Sequence, residues 1–153
     1  MQINFIPFSE EYASLFYELN IIWLKKYFLV EPYDLHVLNN PKAAILENGG
    51  AVFFVEFKGD VIGTFALMPI DNNSFELMKM TVIESFRSKG VGHQILKFAI
   101  KFCKKKNVST LVLYSNTVLK SAMRLYQRNG FTEVALSESS PYDRADIKMM
   151  LQL

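Results

Sequence analysis

The chain has 153 residues, half of them hydrophobic, which is enough to bury a core without metal or disulfide staples, and its length suits one domain. Its 17 Lys plus Arg nearly balance 15 Asp plus Glu, leaving no field strong enough to hold nucleic acid or an anionic membrane, only a basic excess suited to docking one anionic ligand. A single cysteine, Cys103, excludes an intramolecular disulfide, and neither a Cys/His metal-site spacing, a secretory leader in MQINFIPFSEEY nor an apolar run of roughly 18 residues is present, so the expectation is a metal-free cytoplasmic protein.

Ile3 to Pro7 reads as a first strand, and Ser9 followed by two glutamates as the cap of a helix running to about Phe28. Pro32 and Pro41 each suit the first turn of a further short helix, and Gly49 with Gly50 ends the helical region. Val52 to Phe57, the turn Lys58-Gly59-Asp60, and Val61 to Met68 predict a hairpin. After the turn Asp71 to Ser74 comes a strand from Phe75 to Ile83. Val91, Ile95, Phe98, Ala99 and Phe102 then recur at the spacing of one helical face, ending near Asn107. Leu111 to Tyr114 is a strand and Leu119 to Arg128 a helix closed by Asn129-Gly130. Phe131 to Ala135 and Ile147 to Leu151 are two last strands, which makes the fold class mixed α/β.

The chemistry gathers after the Phe75 strand, at Arg87-Ser88-Lys89-Gly90-Val91-Gly92-His93. A strand entering a glycine-bearing loop and then a helix presents free N–H groups and the positive end of a helix dipole to one point, which suits a phosphate. Side chains at Gly90 and Gly92 would hold the backbone off the anion, and Arg87, Lys89 and His93 can add charge-assisted contacts. A Walker loop is excluded because no Gly-Lys-Ser/Thr follows, and the dinucleotide fingerprint fails because its third glycine position holds Ile95.

Arg87, Gly90 and Gly92 resemble the signature of the GNAT superfamily of N-acetyltransferases: Gln or Arg, two residues, Gly, one residue, Gly or Ala. Three flanking matches support the resemblance: Glu76 to Val82 is similar to the family's fourth strand, Ser115-Asn116 to the end of its fifth, and Ala122, Leu125-Tyr126 and Gly130-Phe131 to its next helix and turn. The likeness runs from about Val52 to the C-terminus. It implies a twisted, mostly antiparallel sheet of about seven strands, helices on both faces, and fourth and fifth strands that splay apart. It further implies acetyl-CoA in that opening, with the arm along Met80, Thr81 and Val82, the pyrophosphate on the amides of Ser88, Lys89, Gly90, Val91, Gly92 and His93, and Asn116 on the opposite wall. By the same resemblance Tyr126 is the general acid, and Glu76, eleven positions before Arg87, is the general base for acetyl transfer to a small-molecule or peptide amine. A homodimer is common in the family. A catalytically idle domain that binds acetyl-CoA as a sensor is the alternative.

Each residue also has a plainer role open to it. Tyr126 could be an ordinary core aromatic, Glu76 a strand-end carboxylate facing water, and Lys79 either snorkels outward or borders the cleft. Cys103 suits a small core residue better than a nucleophile, His36 reads as surface, and Lys104-Lys105-Lys106 as a solvated helix end. The acceptor walls are expected at Trp23 to Asp34 and Ser137 to Asp146, with Glu31, Tyr33 and Tyr142 as candidate recognition residues.

Overall fold

The computed structural model describes residues 1–138 and 140–153; Ser139, within the expected 137–146 wall, lies outside the described residues. In chain order it contains β1 (Asn4–Pro7), α1 (Ala13–Tyr27), α2 (Pro32–Asn39), α3 (Pro41–Ala44), β2 (Ala51–Phe57), β3 (Asp60–Pro69), β4 (Ser74–Val82), α4 (Val91–Lys105), β5 (Thr110–Ser115), α5 (Lys120–Arg128), β6 (Thr132–Val134) and β7 (Ile147–Gln152). Both prolines open helices as their fixed φ predicts, and the Lys58-Gly59 turn has positive φ at both residues, the geometry that matches the twist of the hairpin it closes.

One expectation fails at the first helix. A 3-10 turn at Glu10–Tyr12 stands between Ser9 and α1, and Ser9 makes no cap hydrogen bond; its Oγ is buried without a partner among the described residues. The chain enters the helix too tightly for the serine oxygen to reach a free amide.

The seven strands form one sheet in the order β1-β2-β3-β4-β5-β7-β6. All neighbouring pairs are antiparallel except β4 and β5, which run parallel and bridge only at Ser74–Thr110, Phe75–Leu111 and Glu76–Val112. Side chains alternate across the sheet as the pleat requires. Phe53, Val55, Phe65 and Leu67 face a core shared with Ile95, Ala99 and Met123 of α4 and α5, whereas Val52, Phe54 and Ala66 face one shared with Phe16, Leu24, Val37 and Leu38 of α1 and α2. Helices therefore cover both faces. Phe16, Phe54 and Phe65 are wholly buried, each contributing about 1.5–3 kcal/mol relative to exposure.

The alternation breaks where β2 meets β3, beside Val55 and Glu56, and again in β4. Ala66 pairs with Met78 and Thr64 with Thr81, so Lys79 and Met80 together oppose one residue of β3. This is a β-bulge, and Lys79 carries the unusual φ of 52°. Its effect is a change of parity: Met78 faces the α1/α2 core, Met80 faces the α4/α5 core, and Lys79 is turned toward α2.

Candidate functional site

Past Glu76 and Val112 the two central strands part, and the gap opens into a cleft of about 880 Å³. Its walls come from α1, β4, β5, the start of α4, α5 and the loop before β7. One end lies at the phosphate loop. There Ser88 and Gly90 both hold positive φ, 60° and 84°, and α4 begins with its first helical bond from Gln94 N–H to the Gly90 carbonyl. The amides of Val91, Gly92 and His93 thus have no backbone acceptor among the described residues, and all three residues line the cleft.

Within the protein itself the two glycines serve different purposes. A Cβ on Gly90 would meet nothing within 4 Å, so its positive φ is what demands glycine. A Cβ on Gly92 would lie 2.8 Å from a methyl of Leu125 and 3.5 Å from Met80, so here the missing side chain lets α4 approach α5 and β4. Arg87 spends its Nε on the Val82 carbonyl at 2.9 Å and so pins the loop to the end of β4. Lys89 stands apart from the cleft lining, with its ammonium 5.5 Å from the centre of the Phe86 ring. Met80, Thr81, Val82 and Asn116 do line it. Asn116 is itself tied down, donating to the Arg144 carbonyl at 2.8 Å and accepting from the Val118 amide at 2.9 Å. A chain-length gap bare of strand partners, ending at free amides, fits a coenzyme with an extended arm and a pyrophosphate.

Tyr126 projects from α5 into the same cleft. It is half-buried, its hydroxyl has no hydrogen-bond partner among the described residues, and burial pushes its pKa up to about 12. It therefore keeps its proton at neutral pH, while its ring packs against Phe131 at 6.0 Å, as a core aromatic also would.

The other end of the cleft is built from side chains. Glu76 is buried, not facing water. Burial raises its pKa to about 7, against the lowering influence of a 2.9 Å hydrogen bond from the Tyr142 hydroxyl and of the nearby Lys79 and Lys148 charges. Lys79, buried by the bulge, pairs with Asp34 and borders the cleft, which decides between its two expected positions. Arg144 grips the same carboxylate with both arms of its fork, at 2.7 and 2.8 Å. Burial alone would raise the Asp34 pKa, but the bonds from Arg144 and Lys79 outweigh it and hold the group at about 2.

Glu31 and Tyr33 stand outside the cleft lining, whereas Tyr142 is part of it. Glu31 accepts from the backbone amides of Asp143 and Arg144 at 2.9 and 3.2 Å, so it acts from behind, holding the loop that carries Tyr142. Sequence reasoning missed Asp34 and Arg144 as site residues. Asp34 offered a faint signal as an acid three residues after a helix cap, where it does accept the Glu31 amide, but nothing in the sequence placed it near residue 144. Among the described residues no group of three acidic, His or Cys side chains could hold a metal, and no helix is long and apolar enough to cross a membrane.

Comparison with known proteins agrees with this fold. Residues 48–133 match the family model for the acetyltransferase (GNAT) domain. The chain is 38% identical over 73 residues to the probable N-acetyltransferase 14 of Xenopus tropicalis, and 32% identical over 99 residues to the N-acetylaspartate synthetase of Danio rerio. These stretches cover 47% and 63% of this chain but 35% of each relative, so the chain spans about a third of the length of either. Its shape is similar to that of a GNAT-family acetyltransferase from Staphylococcus aureus Mu50, with a TM-score of 0.89 and 26% identity over 99% of both chains. It is also similar to the spermidine N-acetyltransferase of Vibrio cholerae solved with CoA and spermine, with a TM-score of 0.77 and 21% identity over 99% of this chain and 95% of that one, a likeness of fold alone.

Proposed function

Because the chain belongs to the GNAT family of acetyltransferases, we propose that it transfers an acetyl group from acetyl-CoA to a primary amine, with Glu76 as general base and Tyr126 as general acid. The observation that carries this reading is the cleft itself: the gap between β4 and β5 joins free helix-end amides, a lone tyrosine hydroxyl and a carboxyl raised to about 7 in one continuous space. When bound, acetyl-CoA supplies the acyl group already activated as a thioester. Val91, Gly92 and His93 hold its pyrophosphate with their amides, and the Met80 to Val82 edge holds its arm.

Glu76 receives the proton an amine must lose before it can attack. A carboxyl that titrates near neutrality is half ionised at pH 7 and so is matched to that task, whereas an ordinary glutamate is too weak a base. Tyr126 holds a proton at the opposite side of the opening, free to be handed to a departing thiolate. The end that holds Glu76 is flanked by the rings of Tyr114 and Tyr142 and is aromatic. Its acids are already neutralised, Asp34 by two cations and Glu76 by partial protonation, which suits a primary amine on an apolar body.

The test is calorimetry with CoA and acetyl-CoA, followed by thiol release across a panel of primary amines. Heat with both ligands and release with at least one amine is the expected result. Binding without release for any amine would instead support an acetyl-CoA sensor, and absence of heat would end the reading altogether.

A further inference from the structure

The buried charges behind the acceptor end do more than fill space. Three segments far apart in sequence converge there: α2 brings Asp34 and, just before its first turn, Glu31; the β4 bulge brings Lys79; and the loop before β7 brings Tyr142 and Arg144. Asp34 has no exposed surface and does not line the cleft. Its carboxylate nevertheless binds both cations, and both cations then lie near the Tyr142 ring, Lys79 Nζ at 4.9 Å and the Arg144 guanidinium at 4.8 Å from its centre. Tyr33 and Tyr114 flank the same ring at 5.5 and 5.8 Å. So held, Tyr142 has one polar act left to perform, and its hydroxyl donates to Glu76 Oε2 at 2.9 Å.

We propose that Tyr142 is a positioning residue that fixes the orientation and ionisation of Glu76, and that Asp34, never touching substrate, keeps Tyr142 in place by gathering Lys79 and Arg144 against its ring. The inference rests on Glu76 being the base. A hydrogen bond donated to a carboxylate favours its charged form and orients the lone pair that must meet the amine. The groups facing Glu76 are Tyr142 from the loop, Lys79 on its own strand, Tyr114 from β5, Lys148 from β7 and Tyr33 from α2. Among the described residues only Tyr142 makes a direct hydrogen bond to its side chain. The Lys79 ammonium is committed to Asp34, which leaves Tyr142 as the adjustable partner.

The test follows the Glu76 carboxyl by carbon-detected NMR of protein labelled with [13C]glutamate, using Glu76→Gln to identify its resonance and circular dichroism to confirm folding. Tyr142→Phe keeps the ring and removes the hydroxyl. It should move the Glu76 titration upward by roughly one pH unit. The same substitution in an Asp34→Asn background should shift it by less than half as much, because the hydroxyl has already lost its fixed place. Should Asp34→Asn fail to fold, Arg144→Lys, which retains charge but breaks the two-armed grip, completes the cycle. A Glu76 titration indifferent to Tyr142→Phe overturns the proposal, and an undiminished shift in the second background overturns the part assigned to Asp34. If the NMR titration moves while the acid limb of thiol release does not, the positioning stands and the role of Glu76 as base falls.

Discussion

The two ends of the cleft are made in opposite ways. The phosphate end is backbone: consecutive amides at the start of α4, presented by a loop whose residues are neighbours in sequence. The acceptor end is side chain: Glu76, Lys79, Asp34, Arg144 and Tyr142, drawn from α2, β4 and a loop that lie as much as 110 positions apart. A backbone site is specified by local conformation, so it can be disturbed by one glycine. A side-chain site is specified by mutual pairing, so removing one member strands the others with uncompensated charge.

The sharpest break is expected at the base. Glu76→Gln should lower turnover by about 10²–10⁴-fold while leaving the acetyl-CoA dissociation constant unchanged, which steady-state kinetics and calorimetry together would show. In the unsubstituted protein, because the base acts deprotonated and titrates at about 7, kcat/KM should fall roughly tenfold per pH unit below that point and level off above it.

Next comes Asp34→Ala, which leaves Lys79 and Arg144 facing each other without their shared acid. Thermal or denaturant unfolding should show a loss of about 3–5 kcal/mol. Acid gives the same information by another route. The folded-state pKa of about 2 lies below the ordinary 3.8, so the contribution is present above 3.8 and should disappear as pH falls toward 2.

Tyr126→Phe is expected to cost about 10²-fold in turnover with coenzyme binding largely intact; an equal loss in both would remove the tyrosine from the chemistry. The mildest change lies at the backbone end. Gly90→Val forces a β-branched residue to φ near 84°, and should weaken acetyl-CoA binding by about tenfold without altering the acid limb of the rate profile. A shift in that limb would mean the two ends are not separable.

That contrast also explains what the sequence disclosed. Pro32, Pro41, the Lys58-Gly59 turn and the face made by Val91, Ile95 and Ala99 act over a few residues, and the elements they announce are all present. Ser9 misled because the side chain has the chemistry of a cap but the backbone after it turns too tightly. Gly90, Gly92 and Tyr126 were legible as a motif and lie together along one cleft. The Asp34–Arg144 pair was not, since the two groups stand 110 positions apart in the chain and their attraction is felt only after folding. Lys79 sat between. An ammonium inside an apolar strand signalled that something was irregular, but the bulge that turns it toward α2 is a matter of register with β3, which one strand cannot reveal alone.

A sheet that opens in its middle carries two raw hydrogen-bonding borders where other sheets have none. On an outer rim such borders invite a second protein to add its own strand. Here they are flanked by α1 on one side and by α4 with α5 on the other, whose side chains line the same cleft. The helices that build the two cores thereby also wall the inner borders of the sheet, which leaves the outer rims to β1 and β6.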